Sequence, residues 1–116
     1  VSAAKQKGSQ FETFLARGFS QFFDDPLERV VLHGREDQGD LWVPNVRGLI
    51  VVEAKNRRQM ALAEWVDEAQ VEAGNVSKTR NVLGGVVVHK RRGTAQFWDQ
   101  YVTMRMDTFC RIAGLS

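Results

Sequence analysis

The chain has 116 residues, 43% of them apolar and 26% charged, with a net charge of +2 and one cysteine. That length supplies a single domain, residues 1–116, with one core. No stretch approaches the roughly 18 consecutive apolar residues that a membrane span needs, and the opening "VSAAKQKGSQ" has no apolar signal-type region. Cys110 alone can form neither an internal disulfide nor a cysteine-rich zinc site. A cytoplasmic protein without a membrane partner is expected.

Charge is unevenly distributed. Glu64, Asp67, Glu68 and Glu72 follow one another with no base between them, while Lys78, Arg80, Lys90, Arg91 and Arg92 lie in a stretch without an acid. Arg57 and Arg58 come directly after Lys55 and Asn56. Concentrated positive charge on a nearly neutral chain points to an anionic partner, with nucleic acid the first choice, or to solvated loop charge.

In chain order, the first predicted helix runs from about Ser9 to Phe23 and stops before "DDP", where Pro26 disfavours helix at the residue before it. Phe11, Phe14, Leu15, Phe19, Phe22 and Phe23 share one arc at ~100° per residue, and Glu12 falls inside that arc. A carboxylate within an aromatic face needs a partner or a metal; otherwise it stays partly exposed near the helix start, where the helix dipole favours it. "ERVVLHG" (28–34) predicts a strand and "REDQG" a polar turn.

"DLWVPNVRGLIVVEAK" (40–55) predicts a β-hairpin. A turn centred between Val46 and Arg47 sets Asp40 opposite Glu53, on one face. Lys55, two residues along the strand, shares that face with Glu53. "GLIVV" predicts a central strand covered on both sides. A second helix, about Gln59 to Ala73, buries Leu62, Val66, Ala69 and Ala73 with Trp65 flanking, and carries its four acids on the opposite face. Gln70 sits at the rim of the apolar arc, where it either looks back over the sheet toward the site or is a plain rim residue.

"NVLGGVVVHKRRG" (81–93) predicts a strand with a glycine pair and a basic turn. A short strand through Tyr101 to Met104 follows, then a helix to about Ala113 that Gly114 caps. The fold class is α/β, a central mixed sheet flanked by helices.

Two acids converging at one side of a sheet make an oxygen-donor site for Mg²⁺ or Mn²⁺, and Glu12 supplies a third carboxylate if its helix packs across that edge. Lys55 would then orient or deprotonate an attacking water, which is what hydrolysis of a phosphodiester requires. A rim salt bridge between Lys55 and one of these acids is the plainer alternative. His33 and His89 end apolar strands as polar residues, or His89 beside "KRR" touches phosphate. Cys110, with Met106 and Phe109, is expected in the core. Lys90, Arg91 and Arg92 with Phe97 and Trp98 form either a basic stacking surface for unpaired bases or a turn whose aromatics pack inward.

"KGSQFE" (Lys7 to Glu12), "GD" (Gly39-Asp40) and "VVEAK" (Val51 to Lys55) together resemble the PD-(D/E)xK nuclease superfamily, and within it the small Holliday-junction resolvases of the archaeal and phage type. The resemblance extends from Lys7 to about His89. It implies a restriction-endonuclease-like core and a divalent-metal-dependent endodeoxyribonuclease, acting as a homodimer that nicks four-way junctions in pairs during DNA recombination or repair. It further implies Glu12, Asp40 and Glu53 as metal ligands, with the Ala54 carbonyl as a further ligand and Lys55 as catalytic lysine. Lys7, Arg57, Arg58, Lys78, Arg80, Lys90, Arg91 and Arg92 would contact DNA. Gly39 stands where the name-giving pattern has proline, which leaves Asp37 as a competitor to Asp40. A flap or duplex nuclease of the same fold, or a DNA-binding module with a degenerate site, are the alternatives. The compact size suits a phage gene acting in a bacterial cytoplasm.

Overall fold

The computed structural model describes residues 2–30 and 36–115. Among these, a four-stranded mixed sheet packs with three α-helices. The chain runs α1 (Ala3–Ser20), β1 (Leu41–Asn45), β2 (Gly48–Lys55), α2 (Leu62–Val76), β3 (Val82–His89), a turn of 3-10 helix (Phe97–Asp99), β4 (Tyr101–Thr103) and α3 (Met106–Ala113). Strand order is β1-β2-β3-β4. β1 is antiparallel to β2, β2 parallel to β3, and β3 antiparallel to β4. No described helix is long and apolar enough to cross a membrane.

Most of the strand expected at 28–34, with His33, lies outside the described residues. Within them, Arg29 forms an antiparallel bridge to Leu41 and the Val30 N–H donates to the Asp40 carbonyl at 2.8 Å.

The hairpin has the expected register. Leu41 pairs with Val52 and Asn45 with Gly48 about the Val46–Arg47 turn. Like β3, β2 is an interior strand. Its Val52 faces α1, in a core with Phe11, Leu15, Ala16, Leu41, Val86 and Val88; its Val51 faces α2, packing with Ala73 and Val76. Alternation along β2 therefore aims Glu53 and Lys55 at α2 as well.

The glycine pair of β3 has a steric reason. A Cβ at Gly85 would lie 2.1 Å from the Ala69 carbonyl oxygen, and one at Gly84 would lie 2.6 Å from Thr108 Cγ2. The two residues let α2 and α3 approach β3 closely. Gly85→Ala should force α2 off the sheet and cost about 3 kcal/mol. Urea unfolding checks this; an unchanged midpoint would mean that α2 sits further out.

The three helices differ from expectation, two in their ends and one in its burial. α1 begins at Ala3 because Ser2 caps it, its hydroxyl accepting from the Lys5 N–H, and it ends at Ser20, so Phe22 leaves the helical arc and sets its ring edge-on to Trp98. α2 begins at Leu62 and continues to Val76, and its buried face centres on Trp65 while Leu62 is left at the rim. α3 buries Thr108, whereas Met106 and Phe109 are exposed and Cys110 is only half-buried. Cys110 is thus no core residue, because the helix rests on Gly84 through its polar threonine.

Candidate functional site

Asp40 precedes β1 at the sheet edge. Its N–H donates to the Val52 carbonyl at 2.9 Å, and its Oδ2 accepts from the Ala54 N–H at 2.8 Å. These two bonds hold the carboxylate at the end of β2. There it adjoins Glu12 on one side and Glu53 on the other. Glu12, on α1, also accepts from Arg29 at 3.0 Å. Beyond Glu53 the row continues to Glu72, from α2, and Asp37: donor atoms of Asp37, Glu53 and Glu72 all lie within 4.8 Å of one another.

Five carboxylates thus form a continuous row, in the order Glu12, Asp40, Glu53, Glu72, Asp37. Glu53 and Glu72 are buried, at 6% and 1% exposure. Both Glu72 oxygens lack a hydrogen-bond donor among the described residues. Burying such a charge without a partner is costly.

Burial first, and then neighbouring acids, push these groups upward. Glu12 is raised to about 7 by burial and by Asp40, against the pull of Arg29. Glu72 is raised to about 8 by burial, held back in part by the Glu53 carboxyl beside it and reinforced by Asp37 and Asp40. Glu53 is raised furthest, by burial and then by Glu72 and Asp40. Each group ordinarily titrates near 4.5, so across the interval above that the folded chain binds more protons than the unfolded one. Stability then falls as pH rises. In chelator, the urea midpoint should be higher at pH 5 than at pH 8, and a divalent cation should restore it at pH 8. A midpoint rising from pH 5 to 8 in chelator would contradict the coupling.

Lys55 closes β2 with a largely buried side chain, and its Nζ donates to Glu68 Oε2 at 3.0 Å. Glu12, Asp40, Glu53, Ala54, Lys55 and Arg57 all line one open groove, together with Ser9 and Asn56. A second groove beside it is lined by Lys7, Lys55, Arg57 and Arg58, with Trp65 and Glu68. Arg92 reaches this end too, its guanidinium donating to the Arg57 carbonyl at 3.4 Å.

The bases that adjoin in sequence separate in space. Lys78 and Arg80 precede β3, beside the start of β2, whereas Lys90, Arg91 and Arg92 follow it, beside Lys55. Eight residues of strand, about 25 Å, lie between the two groups. Lys78 is ion-paired with Glu36, and Arg80 lies over the Trp42 ring. Arg91 lies over Tyr101, and Lys90 is turned onto the carbonyls of Arg91 and Thr94.

Gln70 does not reach the acids: its Nε2 donates to the Gly85 carbonyl at 3.3 Å and to Thr108 Oγ1 at 3.4 Å. His89 is buried between Trp65 and Tyr101, bonded to Thr103 Oγ1 at 2.8 Å, and burial lowers its pKa. Phe97 packs on Phe14 and Phe19, leaving Trp98 as the exposed aromatic of that turn. Sequence reasoning missed Glu68 and Glu72, which it placed on the outer face of α2. A search against protein-family models, curated proteins and solved structures finds no match for this chain.

Proposed function

We propose that the chain is a divalent-metal-dependent endonuclease selective for DNA structure, resolving four-way junctions by paired symmetric phosphodiester hydrolysis on a restriction-endonuclease-like core. What supports this most is the single groove shared by Glu12, Asp40, Glu53, Ala54 and Lys55, beside a groove bearing Lys7, Arg57 and Arg58. The acidic row carries more negative charge than Arg29 offsets, and an all-oxygen donor set suits Mg²⁺ or Mn²⁺. Glu12, Asp40 and Glu53 would hold the ion, with the Ala54 carbonyl as a further donor. The ion supplies Lewis acidity toward a phosphate oxygen and a lowered pKa for water.

The chain's own residues do the rest. Lys55, held by Glu68, brings an ammonium to the same groove, where it orients the attacking water and offsets charge gathering on the phosphate. Lys7, Arg57, Arg58 and Arg92 hold the DNA backbone next to the acids, so binding weakens with salt. No nucleophilic side chain is needed, and no covalent intermediate forms. Two symmetric nicks call for two such grooves related by a two-fold axis, hence a homodimer.

The test is to incubate labelled four-way junction, flap and linear duplex with Mg²⁺ or Mn²⁺. Paired nicks in the junction are expected. Equal cutting of linear duplex would remove the junction selectivity, and preferred flap cutting would make this a repair nuclease. Salt-sensitive binding without cleavage in any divalent metal would leave a DNA-binding module.

A further inference from the structure

The acidic row is longer than one ion requires, and Glu72 and Asp37 do not line the groove that holds Glu12, Asp40, Glu53 and Lys55. Asp37, Glu53 and Glu72 come from three elements: the loop before β1, the end of β2 and the middle of α2. Their placement is built by other contacts. Asn75 Nδ2 donates to the Asp37 carbonyl at 2.8 Å, tying the loop to α2. Asp37 Oδ1 accepts from the Gly39 N–H at 3.0 Å. Gly39, at φ +84, closes the loop over Glu72, where a Cβ would lie 2.6 Å from Val51 Cγ1 and 3.9 Å from Glu72 Oε1. A side chain there would be strained by that φ and crowded against Val51.

Glu72 is the independent sign of a ligand. It is 1% exposed, its two oxygens have no donor among the described residues, and it points at Glu53 and Asp37. Lys55, on the same face of β2 as Glu53, is engaged by Glu68 on the neighbouring turn of α2. Asp37 is exposed, which leaves an entry path from solvent.

We propose that Asp37, Glu53 and Glu72 form a second divalent-cation site, distinct from the groove site of Glu12 and Asp40 and joined to it through Glu53. Three carboxylates, two of them buried, suit a cation that sheds its hydration readily, so Ca²⁺ or Mn²⁺ binds in preference to Mg²⁺, which retains its waters. The ion fixes the Asp37 loop against α2 and keeps Glu53 a carboxylate. The site stands on its own geometry and does not depend on the nuclease function proposed above.

The experiment counts ions on the full chain without DNA, by titrating Mn²⁺ into chelator-stripped protein and reading free Mn²⁺ by electron paramagnetic resonance, with Ca²⁺ and Mg²⁺ as competitors. Wild type should take up two ions per chain. Glu72→Gln should lose one and Asp40→Asn the other, and Ca²⁺ should displace the Glu72-dependent ion at a concentration at least about tenfold lower than Mg²⁺. Circular dichroism reports whether Glu72→Gln is folded, and Asp37→Asn, at an exposed position, gives the same reading without a buried change: affinity for that ion should fall at least about tenfold. A wild type that takes up only the Glu72-dependent ion would sink the nuclease site and leave this one. Unchanged Mn²⁺ stoichiometry and affinity in folded Glu72→Gln or in Asp37→Asn would overturn the second site, leaving Glu53 and Glu72 as acids that share protons.

Discussion

Replacing Lys55 by alanine is expected to lower metal-dependent cleavage of a four-way junction by about 10²–10³-fold, the usual cost of removing one group that stabilises transition-state charge. Junction binding should survive, because Lys7, Arg57, Arg58 and Arg92 remain beside the groove. The fold should survive too. The lost partner, Glu68, is at 40% side-chain exposure and can return to water, so the pair contributes ~0–1 kcal/mol to stability. Glu68→Ala should leave Lys55 mobile and give a smaller loss of rate with little change in affinity. Gel-shift titration and single-turnover cleavage on the same junction separate these effects. Full activity in Lys55→Ala would remove the lysine from the mechanism and weaken the nuclease proposal at its most specific residue.

Asp40→Asn should show the opposite signs for activity and stability. The amide oxygen can still accept from the Ala54 N–H, so the end of β2 stays in place. The negative charge between Glu12 and Glu53 disappears, and with it the centre of the proposed groove ion site. Cleavage should fall by at least about 100-fold, while stability in chelator rises by about 1 kcal/mol, as expected when a site strained for function is relieved. Denaturant curves with and without Mg²⁺ give the second number. A variant both inactive and destabilised in chelator would indicate that Asp40 is a structural cap whose charge the fold needs.

Glu12, Asp40, Glu53 and Lys55 were legible because each interrupts a pattern that has a physical cause. An aromatic helical arc does not hold a carboxylate by chance, and the Val46–Arg47 turn leaves one hairpin register that sets Asp40 across from Glu53. The same test finds Glu72 once it is applied to α2. With Trp65 at zero, Glu72 falls about 20° to one side, bordering the arc that Val76, Ala69 and Ala73 extend on the other. Its place in a run of acids disguised it, since three of the four do lie toward solvent or at the rim. Setting Trp65 at the flank of the buried arc, when it is itself buried, completed the error.

Other features could not be read along the chain. The stretch from Lys78 to Arg92 looks like one basic patch, yet an extended strand runs through it and sends its bases to opposite ends of the sheet. The stripe of Met106 and Phe109 has core-like spacing but is exposed, because α3 is short and rests on Gly84 through Thr108. Phe97 and Trp98 are neighbours in sequence, and a turn of 3-10 helix sends one toward α1 and the other to the surface.

What the sequence determined by itself was local: periodicity, turn position and the alternation that places Glu53 and Lys55 on one face of β2. These follow from backbone geometry, which acts over a few residues. Which helix that face meets was a tertiary matter. Only the packing of α2 onto β2 and β3 set Glu72 against Glu53 and Glu68 against Lys55, and only the loop closed by Gly39 brought Asp37 to them. The physical reason is burial. A carboxylate's chemistry depends on how much water and which charges surround it, and the burial of Glu72 comes from the β2 face that α2 meets and the loop that Gly39 closes over it, more than from its own neighbours in sequence.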